Sequence, residues 1–203
     1  MDGSPSNIAK IKQSPTYWRH DLNAVATFVD ADNINRLISE GGYRGEVGIL
    51  SVDIDGNDYW VWERIDVVNP IIVVAEYNSV FGARRAVTIP YDPRFVRGDA
   101  HYSHLYWGCS IKALELLGKR KGYVLVGSNS AGNNVFFVRQ DCMFGMKGVD
   151  AEKAYVESRF RESRDVRGRL TYLTGKSRLH EIRELPIYDV EQNALKQLDE
   201  LLE

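Results

Sequence analysis

Apolar positions along the chain fall into short runs divided by polar turns. Residues 24–29 (AVATFV) are an apolar, largely β-branched run of strand length. Ile34, Leu37 and Ile38 then recur at helical spacing, with Asp32 placed as an N-cap and Gly41-Gly42 as a stop, so the pattern predicts a helix over 32–40. Residues 48–53 are apolar on both faces, as a central parallel strand is. After the turn Asp55-Gly56-Asn57, residues 59–65 place Trp62 and Ile65 on one side of a short helix, with Trp60 and Trp62 packing on a sheet. Pro70 opens 71–76, the most apolar stretch in the chain. Strand, helix and strand in this order make a βαβ unit.

Beyond it, 79–104 reads as a long irregular loop, a length that points to function or disorder. A helix follows, capped by Ser103, with Trp107, Ile111, Leu114 and Leu117 on one face and Lys119, Arg120 and Lys121 at its C-terminal end before Gly122. Strands are predicted at 122–127 and 134–139. They are joined too tightly for a helical crossover, so the second runs antiparallel. At the N-terminus, residues 1–23 are polar and broken by Pro5 and Pro15, a loop with a short helix around 7–13. At the other end, 143–203 turns charged and reads as a helical tail appended to an α/β domain over 1–142. It ends in an amphipathic helix over 189–202 striped by Leu195, Leu198, Leu201 and Leu202, which packs on the core or meets a partner.

The 203 residues fit one domain, and an apolar fraction of 44% supplies a core. A formal net charge of −2 gives no basic face for nucleic acid. No run of 18 apolar residues spans a membrane, and the first twelve residues lack the apolar stretch of a signal peptide. Cys109 and Cys142 are far apart and without metal spacing, which points to a reducing, cytoplasmic setting. His20 and His180 carry no motif, and there is no nucleophile elbow, phosphate-binding loop or zinc spacing.

Candidate chemistry concentrates at one turn. Asp53, Asp55 and Asp58 crowd the end of the 48–53 strand, with Asn57 between them, and Glu76 and Asn78 end the neighbouring strand. Strand C-terminal ends are where α/β sheets bind ligands. Carboxylates this close repel unless a cation or donors compensate, so Asp53, Asp55 and Glu76 are candidate ligands for Mg²⁺ or Ca²⁺. The plainer alternative makes Asp58 a helix cap and Asp55-Gly56 a turn with positive φ at Gly56. His101 and His104 in the long loop are candidate general bases, or polar surface. Tyr91, Tyr102, Tyr106 and Trp107 around them suit stacking on a sugar or a core. Arg84, Arg85, Arg94 and Arg97 make the loop basic, fitting an anionic substrate or a solvated surface.

Parallel strands closed by one antiparallel hairpin strand resemble class I S-adenosylmethionine-dependent methyltransferases. The segment Ile49-Leu-Ser-Val-Asp-Ile-Asp-Gly-Asn-Asp58, followed by Val73-Val-Ala-Glu-Tyr-Asn78, resembles the FkbM methyltransferase family, whose fourth strand ends in an acidic, glycine-containing turn and whose fifth ends in Glu. The resemblance covers roughly residues 1–140. It implies a three-layer, Rossmann-like, mostly parallel sheet in the order 3-2-1-4-5-7-6 and transfer of a methyl group to a hydroxyl of a sugar or similar small molecule. Asp53 and Asp55 would orient the acceptor, His101 or His104 would take its proton, and Asn57, Asp58, Glu76 and Asn78 would line its site. Met1-Asp2-Gly3-Ser4 resembles the end of the family's second strand, so Asp2 would hold the cofactor ribose and Asp30 would reach the adenine amine. The first strand and its glycine-rich turn have no counterpart, which implies a sheet truncated at the N-terminus, with 24–29 paired parallel against 48–53 and weak binding of S-adenosylmethionine. Two other readings remain: a non-catalytic module of this fold, and a metal-dependent glycosyltransferase-like protein using Asp53-Ile54-Asp55.

Overall fold

A computed structural model describes residues 1–160 and 162–201. Two short helices, α1 (Pro5–Gln13) and α2 (Pro15–Arg19), precede α3 (Ile34–Glu40), β1 (Gly45–Val52), α4 (Asp58–Arg64) and β2 (Val68–Glu76). Then come β3 (Val87–Thr88), α5 (Arg97–Ala100), α6 (Ile111–Arg120), β4 (Tyr123–Ser128) and β5 (Asn134–Arg139). The last part holds α7 (Ala151–Ala154), α8 (Lys176–Glu181), β6 (Pro186–Asp189) and β7 (Ala194–Gln197).

The main sheet has the order β1-β2-β5-β4. β1 and β2 pair in parallel, while β5 is antiparallel to both β2 and β4, so β5 alone runs against the others. This is an α/β fold with a mixed sheet, and the βαβ unit and the antiparallel hairpin stand where their apolar runs placed them. One sheet face is closed by α4 and α6: Val73, Ala75, Val135 and Phe137 are fully buried among Trp62, Leu114 and Leu117. Trp62 packs on Phe137 with centroids 4.8 Å apart. Trp60 packs at the margin of the same cluster, donating to the Ile89 carbonyl at 2.9 Å and resting against Tyr188.

The expected three layers are not shown among the described residues. α3 and α7 supply Ile34, Ile38, Ala151 and Ala154 to this same cluster. On the opposite face Ile72, Val74 and Phe136 are only half-buried and Ile49 is 65% exposed. The expected strand over 24–29 is also corrected. Those residues make one isolated parallel bridge, Asp2 to Ala26, in which Asp2 N donates to the Val25 carbonyl and Thr27 N to the Asp2 carbonyl. Among the described residues β1 pairs with β2 alone, so 24–29 does not pair with it.

The charged segment after residue 142 is not a separate helical tail. β6 pairs with β3 from the long loop, and β7 completes a second three-stranded sheet. Ile182, Ile187 and Leu198 join Phe81, Ile89 and Leu105 in a second core. The leucine stripe misleads because Asp189 reverses the chain. Its Oδ1 accepts from the amides of Glu191 and Gln192 at 3.0 and 2.9 Å, and Asn193 takes φ 53°. Leu195 is left exposed, and Leu202 lies outside the described residues. No described helix is long and apolar enough to cross a membrane.

The helix placed after Ser103 begins later. Gly108 at φ 65° and a bridge between Thr88 and Cys109 hold the preceding residues extended beside β3, and Ser110 caps α6 through Ala113 N at 3.0 Å. Ser103 is buried and accepts from Leu105 N instead.

Gly132, in the β4–β5 turn, has φ 76°, and a Cβ there would lie 2.6 Å from the Val156 carbonyl oxygen and 2.7 Å from Ser158 N. Gly132→Ala is therefore expected to destabilise by roughly 1–2 kcal/mol through the left-handed backbone and a further ~1–3 kcal/mol through overpacking. Chemical denaturation measures the sum, and a loss under about 1 kcal/mol would contradict this packing.

Candidate functional site

The turn after β1 is built around Asp58. Its Oδ1 accepts from Ile54 N at 2.9 Å and its Oδ2 from Gly56 N at 3.0 Å, folding residues 54–58 back on the start of α4. Asp55, not Gly56, adopts the left-handed conformation, at φ 57°. Gly56 is required for a different reason than the one expected: a Cβ would sit 2.3 Å from the Phe95 ring. Asp58 is fully buried, and burial pushes its carboxyl up to about 6, against the lowering by its two amide bonds. Asn57, also buried, donates to the Asp92 carbonyl at 2.7 Å, which ties the turn to the long loop.

Glu76 ends β2 beside this turn. Burial, then the charges of Asp58, Asp53 and Asp55, push its carboxyl up to about 9, with Arg97 opposing, so it carries a proton at neutral pH. Its Oε2, like Asn57 Oδ1, has no hydrogen-bond partner among the described residues. Asn78 clamps the loop: Nδ2 donates to the carbonyls of Leu105 and Trp107, both at 2.9 Å, and Oδ1 accepts from Val80 N. The four residues expected to contact an acceptor, Asn57, Asp58, Glu76 and Asn78, are thus buried supports, and Asn78 lines a narrow cleft.

A cavity of about 460 Å³ opens beside the turn, lined by Asp2, Phe28, Asp53, Asp55, Arg97 and His104, among others. Asp2 accepts from Ser4 N at 2.7 Å and Asn7 Nδ2 at 3.1 Å, and these bonds hold its carboxyl below the usual range. Partial burial, and then the charge of Asp55, raise the pKa of Asp53. Arg97 joins three parts of the site: Nη1 lies 3.3 Å from Asp55, Nε donates to the His104 carbonyl at 2.9 Å, and the guanidinium stands 4.7 Å from the Trp107 ring.

Asp2, Asp53, Asp55 and His104 are therefore brought together, and the other assignments are corrected. Asp30 is a local cap, its Oδ1 accepting from Asp32 N and Asn33 N, and it does not line the cavity. His101 faces a different surface, bonded to Ser103 Oγ at 2.7 Å and stacked near Tyr102, with burial lowering its pKa. The carboxylates form no metal site: among the described residues no three His, Cys, Asp or Glu side chains are grouped to hold an ion. Asp55 lies 3.3 Å from Arg97 Nη1 and Glu76 is buried, so the expected set of Asp53, Asp55 and Glu76 is not grouped as ligands among the described residues. Phe28, Phe95 and Glu162 carried no sequence signal. Arg97 stood only among the loop's cations.

Comparison with protein-family models, with curated proteins and with solved structures finds no significant match in any of the three.

Proposed function

We propose that the chain is a methyltransferase-like domain of the FkbM type, using S-adenosylmethionine to methylate a hydroxyl of a sugar or similar small molecule. The observation that carries this reading is the order β1-β2-β5-β4 with β5 alone reversed. It matches the 4-5-7-6 half of the class I methyltransferase sheet, and the parallel Asp2–Ala26 bridge stands where strands two and three would pair. The cavity lies at the C-terminal end of β1, where such sheets bind ligands, and its volume suits a small molecule.

The residues present fit an adenosine moiety. Asp2 offers a carboxylate to ribose hydroxyls, and Phe28, 47% exposed, offers a ring face to the base. When bound, S-adenosylmethionine supplies an electrophilic methyl group. Asp53 accepts a hydrogen bond from the acceptor hydroxyl, Arg97 fixes Asp55 and the loop around it, and His104 holds the released proton.

A second reading, a non-catalytic binding module of the same fold, is favoured by the single-sided pairing of β1, which leaves Ile49 exposed and no backbone cradle on that edge among the described residues. No specific observation favours the glycosyltransferase-like reading. Calorimetric titration of the chain with S-adenosylmethionine separates the first two. The methyltransferase reading expects saturable binding weakened about tenfold by Asp2→Asn, the loss of one charge-assisted contact. No binding at millimolar ligand leaves the second reading.

A further inference from the structure

Three cavities adjoin one another through shared residues along one side of the molecule. The cavity beside Asp53 shares Arg97 and Glu162 with a narrow cleft, and that cleft shares Ser79 and Arg178 with a third cavity of about 470 Å³. The third cavity lies between the turn after β2 and helix α8. Arg85, Lys176, Arg178 and His180 line it, with Glu157 as its one acid.

That acid is already engaged. Glu157 Oε1 accepts from Arg178 Nη2 at 2.7 Å and from Gly175 N at 3.1 Å. Arg84 next door is paired with Glu152, but among the described residues neither Arg85 nor Lys176 forms an ion pair. Arg178 is 4% exposed, and its Nη1 reaches the Ser158 carbonyl at 3.3 Å. Its Nε has no partner among the described residues. A buried guanidinium N–H without an acceptor is costly and rare in a folded protein. Two unpaired cations thus flank a buried, under-satisfied third in a concave wall. That arrangement matches a compact dianion better than a single carboxylate, since guanidinium and ammonium groups complement phosphate oxygens in geometry and charge.

We propose that this cavity binds a phosphate or diphosphate group of a small molecule, held by Arg85, Lys176 and Arg178. If the neighbouring cavity acts as proposed above, this group is the anionic end of the acceptor, whose hydroxyl-bearing part lies toward Arg97 and Asp53. The acceptor class is then a phosphorylated or nucleotide-linked sugar rather than a neutral one.

The test titrates the whole chain with inorganic pyrophosphate, with glucuronate as a monoanion of carboxylate type and glucose as a neutral control. Saturable pyrophosphate binding is expected, weaker as salt rises, with glucuronate at least about tenfold weaker and glucose silent. Arg85→Gln combined with Lys176→Gln should weaken pyrophosphate about tenfold or more. Neither side chain is buried, so the fold should persist, which circular dichroism checks. No pyrophosphate binding, glucuronate binding as tight as pyrophosphate, or a double variant with unchanged affinity each overturns the proposal. The two readings fail separately. Pyrophosphate binding without S-adenosylmethionine binding removes the methyltransferase and keeps the anion site. The reverse removes the anion site alone.

Discussion

Replacing Asp58 with alanine is expected to destabilise the protein by about 2–5 kcal/mol and to open the turn that presents Asp53 and Asp55. The carboxylate is fully buried and satisfies two backbone donors, Ile54 N and Gly56 N. Each donor left unsatisfied in the interior costs ~1–3 kcal/mol. Removing a buried carboxyl whose pKa is raised recovers part of that through lost desolvation, so the sum falls short of the extreme. Asp58→Asn should cost less, since its amide oxygen still accepts from one donor. Denaturant midpoints measure both, and equal midpoints for wild type and Asp58→Ala would show that the turn does not depend on this side chain.

Glu76→Gln is expected to stabilise the protein at alkaline pH by on the order of 6 kcal/mol and to leave it nearly unchanged at pH 4. The Glu76 carboxyl titrates at about 9 in the folded chain against an ordinary 4.5. Between those values the folded state keeps a proton that the unfolded state releases, so stability is full below 4.5 and is lost as pH rises through 9. The steepest slope from one such group is about 1.4 kcal/mol per pH unit. Asp58 adds a loss of the same sign over a narrower window, from 3.8 to about 6. Glutamine imitates the protonated acid and removes the Glu76 contribution. Denaturation of wild type and variant between pH 4 and 9 gives the difference, and parallel stability curves would refute the protonated Glu76.

The strands of the main sheet were legible because buried strands write themselves as continuous apolar runs, and the short β4–β5 join left only an antiparallel pairing. The hairpin near the C-terminus was not. Leu195 and Leu198 sit at helical spacing, yet the decisive residue is Asp189, whose side-chain bonds to Glu191 and Gln192 set the reversal. Residues 24–29 have strand composition but find a single bridging partner, Asp2. At the candidate site, Asp53 and Asp55 were legible as strand-end carboxylates, but Asp58, read as a possible helix cap, is instead the first residue of α4, and its carboxylate binds the upstream amides of Ile54 and Gly56. Phe95 over Gly56, Arg97 on Asp55 and Asn57 on Asp92 were not, because each joins the turn to a loop about forty residues away, and local periodicity carries no record of such an approach.

The long loop is braced at β3, whose partners Tyr188 and Asp189 lie about a hundred positions further along the chain. Pairings of such separation close late, after the loop-closure entropy has been met. During synthesis the Asp53–Asp58 turn and its parallel strands leave the ribosome well before the strand that fixes the opposite wall. For that interval Phe81, Ile89 and Leu105, fully or almost fully buried in the finished protein, have none of Ile182, Ile187 and Leu198 to pack against. The nascent chain thus passes through a stage with a formed turn and an apolar, unbraced loop, a surface that chaperones recognise.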